Sequence, residues 1–270
     1  MMRFGLFMLM VFMIESCSGS REEIRTQEGE RSNSQPTIQD NSFLIEEAYN
    51  QEAGVVQHIS NLSYTATPQR TLSYVLTQEW PIGGQAHQFS YSIPYSSFEE
   101  IRIQGIGDVL LNYRYQLLGD GDWVHVAPRL SLVLPIGDES KGLGTGGIGL
   151  QLNLPASKEI ASSIVVHANL GSTIFSRPKT LVSYFAGASV IWQVKGNFNI
   201  MLENLIVSNA TTDDLGEMAC ETEVIVNPGV RFAMNFPNLQ IVPGIGFPTV
   251  FKNGETSTGL FFYLSFEHPF

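Results

Sequence analysis

The chain is poor in cysteine: only Cys17 and Cys220 occur in 270 residues, so no disulfide framework can hold the fold. It lacks the ~18 or more consecutive apolar residues that mark a membrane-spanning helix. Its longest apolar run is Phe4 to Ile14, broken by Gly5. Basic residues are outnumbered, 15 Lys and Arg against 26 Asp and Glu, for a net charge of −11. Nucleic-acid binding rests on phosphate neutralisation, so that partner class is excluded. Helix-period segments of useful length are missing beyond residue 54. No Gly-x-Ser-x-Gly elbow occurs. The five histidines, His58, His87, His125, His167 and His268, are not spaced as paired ligands on any short segment. Ser163 and His167 share a strand face but stand about 13 Å apart along it, beyond the reach of a nucleophile and its base. Neither an enzyme nor a metal or cofactor site is expected.

Arg3, the short apolar run and the small residues of Ser16-Cys17-Ser18-Gly19 predict a secretory signal peptide over 1–18. Ile14-Glu15-Ser16-Cys17 also reads as a poor lipoprotein signal, because Glu15 stands where a small or apolar residue is usual. Residues 19–53 are expected to form a polar periplasmic segment. Within it, 20–42 is too charged and too poor in aromatics to offset its ordering entropy by burial. Ser42–Glu52 is richer, and Phe43, Leu44, Ile45, Ala48 and Tyr49 can share one short helical face. Two readings stand for it, a lead-in to the first strand and a plug or partner contact.

From Gly54 onward charges thin out, and stretches of alternating polarity are separated by turn clusters. Twelve strands are expected, near 54–66, 71–82, 87–97, 105–118, 123–137, 147–157, 163–175, 180–194, 198–209, 222–236, 239–251 and 257–270. In the tenth, Val224, Val226, Val230 and Phe232 oppose Glu223, Asn227 and Arg231. In the last, Leu260, Phe262, Leu264, Phe266, His268 and Phe270 form a greasy face opposite Tyr263, Ser265 and Glu267. Arginine at mid-strand costs roughly 2–4 kcal/mol facing lipid and little in a wet lumen. Every mid-strand arginine here lies on the polar face. Turns after even strands are tight, whereas those after odd strands, such as 138–147 and 209–221, are longer on average. These features predict an all-β fold: a transmembrane antiparallel up-and-down β-barrel spanning 54–270 in an outer membrane. An exported soluble β-protein also alternates and stays as the alternative.

The polar faces predict a lumen lined by Asp108, Asn112, Arg114, His125, Arg129, Glu203, Glu223, Asn227 and Arg231. Phe266 and Phe270 resemble the C-terminal signal read by the barrel-assembly machinery. Two functional readings follow. One is a transporter-like pore with outer-membrane lipid and a small-molecule solute as partners. The other is a closed structural or docking barrel with a periplasmic partner.

Leu134-Pro135-Ile136-Gly137-Asp138, followed by the glycine-rich Gly142-Leu143-Gly144-Thr145-Gly146-Gly147, is similar to a pattern in one family of outer-membrane barrels. So is Gly107-Asp108 preceding Leu110-Leu111-Asn112-Tyr113-Arg114-Tyr115. That family is linked to the meta-cleavage pathway of phenol degradation and described as transporter-like. The resemblance implies a barrel over 54–270 and passage of small organic molecules.

Overall fold

Alternating polarity without helix-period stretches leaves the chain one way to satisfy its backbone, by pairing strands. In the computed structural model it does so around a closed ring. Residues 42–67, 70–177, 180–212 and 218–270 are described. The expected signal peptide, Cys17 and the polar stretch 19–41 lie outside them.

The strands are β1 (Val55–Thr65), β2 (Thr71–Pro81), β3 (His87–Phe98), β4 (Ile103–Ile106), β5 (Val109–Tyr115), β6 (His125–Val126), β7 (Arg129–Leu134) and β8 (Gly149–Ala161). They continue as β9 (Ile164–Phe175), β10 (Leu181–Lys195), β11 (Phe198–Thr212), β12 (Met218–Phe232), β13 (Met234–Phe236), β14 (Leu239–Gly246), β15 (Thr249–Lys252) and β16 (Glu255–Pro269). Four pairs are single wall strands with a local break. β4 and β5 part at Gly107-Asp108, β6 and β7 at Ala127-Pro128, β12 and β13 at Ala233, and β14 and β15 at Phe247-Pro248. Two of the breaks hold a proline, which has no N–H to give a ladder. The wall therefore has twelve strands, the number the alternation predicts. All neighbours are antiparallel, and β1 pairs with β16 from Val55↔Pro269 to Thr65↔Gly259, which closes the ring.

Polarity is inverted relative to a soluble protein. Leu152 and Leu170 on the outside are 57% and 64% exposed, whereas Glu203 and Asn227 on the inside are wholly buried. Leu130, Leu132, Leu150, Leu154, Leu202 and Ile206 extend the outer apolar belt. Each such side chain gains about 1.5–3 kcal/mol on leaving water, so a belt of this extent belongs in lipid. That removes the soluble alternative. A closed ring also leaves no unpaired strand edge to hydrocarbon.

The connections differ in part from expectation. On the rim where β1 begins, here called proximal, tight turns occur at Ser162-Ser163, Gly196-Asn197 and Pro237-Asn238. A longer one runs over 116–124. On the distal rim the 135–148 loop is long, but the expected loop over 209–221 is largely ladder. There Asn209↔Glu221 and Ala210↔Cys220 extend the β11–β12 hairpin. Their polar residues keep the strand period above the belt, where water accepts both faces.

Candidate functional site: the lumen and its plug

The barrel is filled by its own chain. Ser42–Glu52 runs inside the wall from mid-lumen to the proximal rim as a series of bends, not as the helical face its apolar residues suggest. The wall explains why. Its side chains take the amides and carbonyls that a helix would bond internally. The amides of Leu44 and Ile45 donate to Glu203 Oε1 at 2.8 and 3.2 Å. Glu46 is held at both backbone groups by the Asn169 amide, each at 2.8 Å. The Ala48 amide donates to Ser157 Oγ at 2.7 Å, and Gln116 Nε2 donates to the Ala48 carbonyl at 2.8 Å. The Asn50 and Gln51 amides donate to Gln116 and Gln88 side chains at 3.0 and 2.6 Å.

The predicted lumen residues divide among three places. Arg114 and Arg129 face each other across β5 and β7, and both reach the plug. Arg114 donates to Asn50 Oδ1 at 2.9 Å, the Glu47 carbonyl at 3.1 Å and the Tyr49 carbonyl at 2.5 Å. Arg129 pairs with the Glu46 carboxylate at 2.7 Å and donates to Asn112 Oδ1 and Gln151 Oε1 at 3.0 and 2.8 Å. Across the lumen, Asn227 Nδ2 donates to Glu203 Oε2 at 2.8 Å, and Arg231 is buried on the same face. His125 lies lower, its ring 4.7 Å from that of Tyr49. Burial, and behind it the nearby Glu47 carboxylate, pushes the Tyr49 hydroxyl up to about 12, so it stays protonated.

Asp108 and Glu223 stand apart from the plug. Asp108 ties down the distal loop: Oδ1 accepts from the Gly137 amide at 3.0 Å, and Oδ2 from the Thr145 amide and hydroxyl, each at 2.7 Å. The Gly107 break turns its carboxylate to the rim. Glu223 pairs in register with Val207 and Lys252, distal to Glu203, which pairs with Asn227.

Several contacts of the site involve residues outside the predicted lumen set. Phe43 packs between Phe261 and Tyr263, each ring 5.4 Å away. Wall glycines admit it: a Cβ on Gly229 or Gly244 would stand 2.5 or 2.6 Å from its ring, and one on Gly187 would meet Ile45. Glycine inside a strand marks close approach of another chain segment, so these three inward positions carried a signal. His167 bonds Ser157 across β8 and β9 at 2.6 Å, whereas Ser163 lies in the turn before β9. Ser157 Oγ already accepts the plug amide, so the contact anchors the plug.

Space remains on both sides. Beside the plug a cavity of about 180 Å³ touches Phe43, Glu46, Gln88 and Arg114, and distally one of about 270 Å³ touches Leu44, Glu46, Gln151 and Asn209. Proximally, cavities of about 280 and 700 Å³ meet at Tyr49 and Glu52. The plug thus has open space on its distal side, beside it and on its proximal side.

No family model matches the chain. No curated protein matches it either. Solved structures do. An outer membrane channel from Pseudomonas putida F1 superposes with a TM-score of 0.61 at 12% identity, covering 83% of this chain and 98% of that one. The NanC porin superposes with a TM-score of 0.50 at 12% identity, covering 79% of this chain and 100% of that one. The shared feature is the fold: an outer-membrane β-barrel.

Proposed function

We propose that the protein is a transporter-like pore of the outer membrane for passive passage of small organic molecules, closed at rest by Ser42–Glu52. The tight-turn rim faces the periplasm, as in bacterial barrels generally. The observation that carries this reading is how the plug is held. Wall side chains bind its backbone through separate hydrogen bonds, and each exchanges for water at a net cost of about 0.5–1.5 kcal/mol. A segment fastened that way can be displaced while the wall stays intact. Cavities on either side supply the rest of the path. The solved neighbours being a channel and a porin is consistent with this. The similarity of residues 107–147 to barrels linked to the phenol meta-cleavage pathway supports weakly polar organic solutes. Phe266, on the outward face of the last strand, and Phe270, just after it, serve in this reading as the signal for the barrel-assembly machinery. In this reading residues 1–18 are the export signal, and of the polar segment 19–53 the part before the plug is periplasmic.

The filled lumen favours a second reading, a permanently closed docking barrel. Planar-bilayer recording with liposome swelling separates the two. The pore reading expects discrete conductance steps, and swelling that falls with solute size. Folded protein that stays silent in both assays, even after the plug contacts are weakened, assigns the barrel to docking.

A further inference from the structure

Ring closure juxtaposes two histidines that the sequence keeps 210 positions apart. In the β1–β16 ladder His58 stands opposite Phe266, one diagonal step from His268, within reach of long side chains on one face. Their Nε2 atoms are 3.2 Å apart and their ring centroids 5.3 Å, so the rings diverge from the facing nitrogens. Both are half-buried on the outer surface near the proximal rim, beyond the aliphatic belt. The other three histidines have different partners: His87 the Tyr113 hydroxyl, His125 the Tyr49 ring and His167 the Ser157 hydroxyl.

We infer that His58 and His268 form a divalent-metal site of the zinc class that staples the first strand to the last. Zinc–imidazole bonds of about 2.0–2.1 Å in a tetrahedral arrangement place two ligand nitrogens roughly 3.3 Å apart. The observed separation meets that without rearrangement. A second observation concerns the tautomer. His268 Nδ1 lies 2.9 Å from the Pro269 carbonyl, which only accepts, so Nδ1 carries the proton and Nε2 presents its lone pair. This is the outer-shell contact that orients metal-binding imidazoles. In the apo protein His58 Nε2–H donates to that lone pair. Metal binding moves the His58 proton to Nδ1, and the net charge of the two rings is unchanged. Water at the membrane surface supplies the remaining ligands. Imidazole donors select zinc, nickel, cobalt or copper over magnesium and calcium. Because the pair bridges the two strands whose pairing closes the ring, a bound ion opposes opening of the seam.

The test uses the full folded chain in detergent micelles with Zn²⁺ as the probe. Calorimetric titration is run on wild type, His58→Gln, His268→Gln and the double variant, with thermal unfolding followed by gel mobility. One Zn²⁺ equivalent is expected in wild type, weakened about tenfold or more in either single variant. Saturating Zn²⁺ is expected to raise the wild-type midpoint by about 5 °C and to leave the double variant unmoved. Chelation should reverse the shift. Equal Zn²⁺ binding and equal stabilisation in the double variant overturn the proposal. For a readout independent of the variants' folding, Cu²⁺ resonance spectra of wild type should show hyperfine coupling to two imidazole nitrogens. A spectrum with one nitrogen or none overturns it equally.

Discussion

The two ends of the plug are held by different physics. At mid-lumen, Phe43 and Ile45 sit against Phe261, Tyr263 and three wall glycines, Gly187, Gly229 and Gly244. At the proximal end, Ala48–Gln51 is fastened mainly by polar contacts from Ser157, Gln116, Gln88 and Arg114, with the Tyr49 ring edge-on to those of His125 and His167. The apolar anchor has no equivalent partner in water, whereas every polar contact does. Displacing Phe43 therefore forfeits burial outright, and displacing Asn50 mostly exchanges one hydrogen bond for another. The mid-lumen end sets whether the plug is docked. The proximal end sets its path and can fray first.

Breaking the apolar anchor should have the largest effect. Phe43→Ala removes a buried aromatic, a change that typically costs 3–5 kcal/mol. Hydrogen exchange of the plug amides 43–51 should accelerate together by about 100-fold or more. Gly244→Val attacks the same contact from the wall, since its Cβ would meet two ring atoms of Phe43 at 2.6 Å. Overpacking of this kind costs about 1–3 kcal/mol, and thiol labelling of a cysteine at Leu44 from the distal side should rise by tenfold or more. If the wild-type labelling rate persists, the glycines do not define the anchor.

Arg114→Ala tests the other end. It deletes charge-assisted bonds to Asn50, Glu47, Tyr49 and Gln88, about 2–3 kcal/mol in sum once water replaces part of them. Exchange should accelerate at 48–51 while 43–46 stay protected. Uniform acceleration along the plug would erase the distinction between the ends. Ser157→Ala should have the smallest effect, about 1 kcal/mol, visible as roughly fivefold faster exchange at Ala48 alone.

The wall was legible in the sequence because its signal is local. Strand period and facing are written in neighbours two residues apart, and Leu130, Arg129 and Asn227 lie on the faces that the alternation assigns. The plug was not legible in the same way. Its partners lie far along the chain, as Leu44 with Glu203 and Ala48 with Ser157, so contacts exist only once the ring has closed. An apolar cluster at 43–49 then reads equally as a helix face. Mid-strand glycines at 187, 229 and 244 were the trace of an interior guest, visible as missing side chains on inward positions. Asp108 lies on the inward face that the alternation gives it, but its bonds to Gly137 and Thr145 of the distal loop join residues 29 and 37 positions away, which no local pattern announces.

The most direct test of plug gating is a reversible lock. Ala48→Cys with Ser157→Cys, in a Cys220→Ser background, places two thiols where a plug amide now meets the wall hydroxyl at 2.7 Å. Single-channel conductance is recorded from the same preparation oxidised and then reduced. Gating by Ser42–Glu52 predicts silence when oxidised and conductance steps after reduction. Equal conductance in both states would mean that solute passes without moving the plug, and would contradict the account.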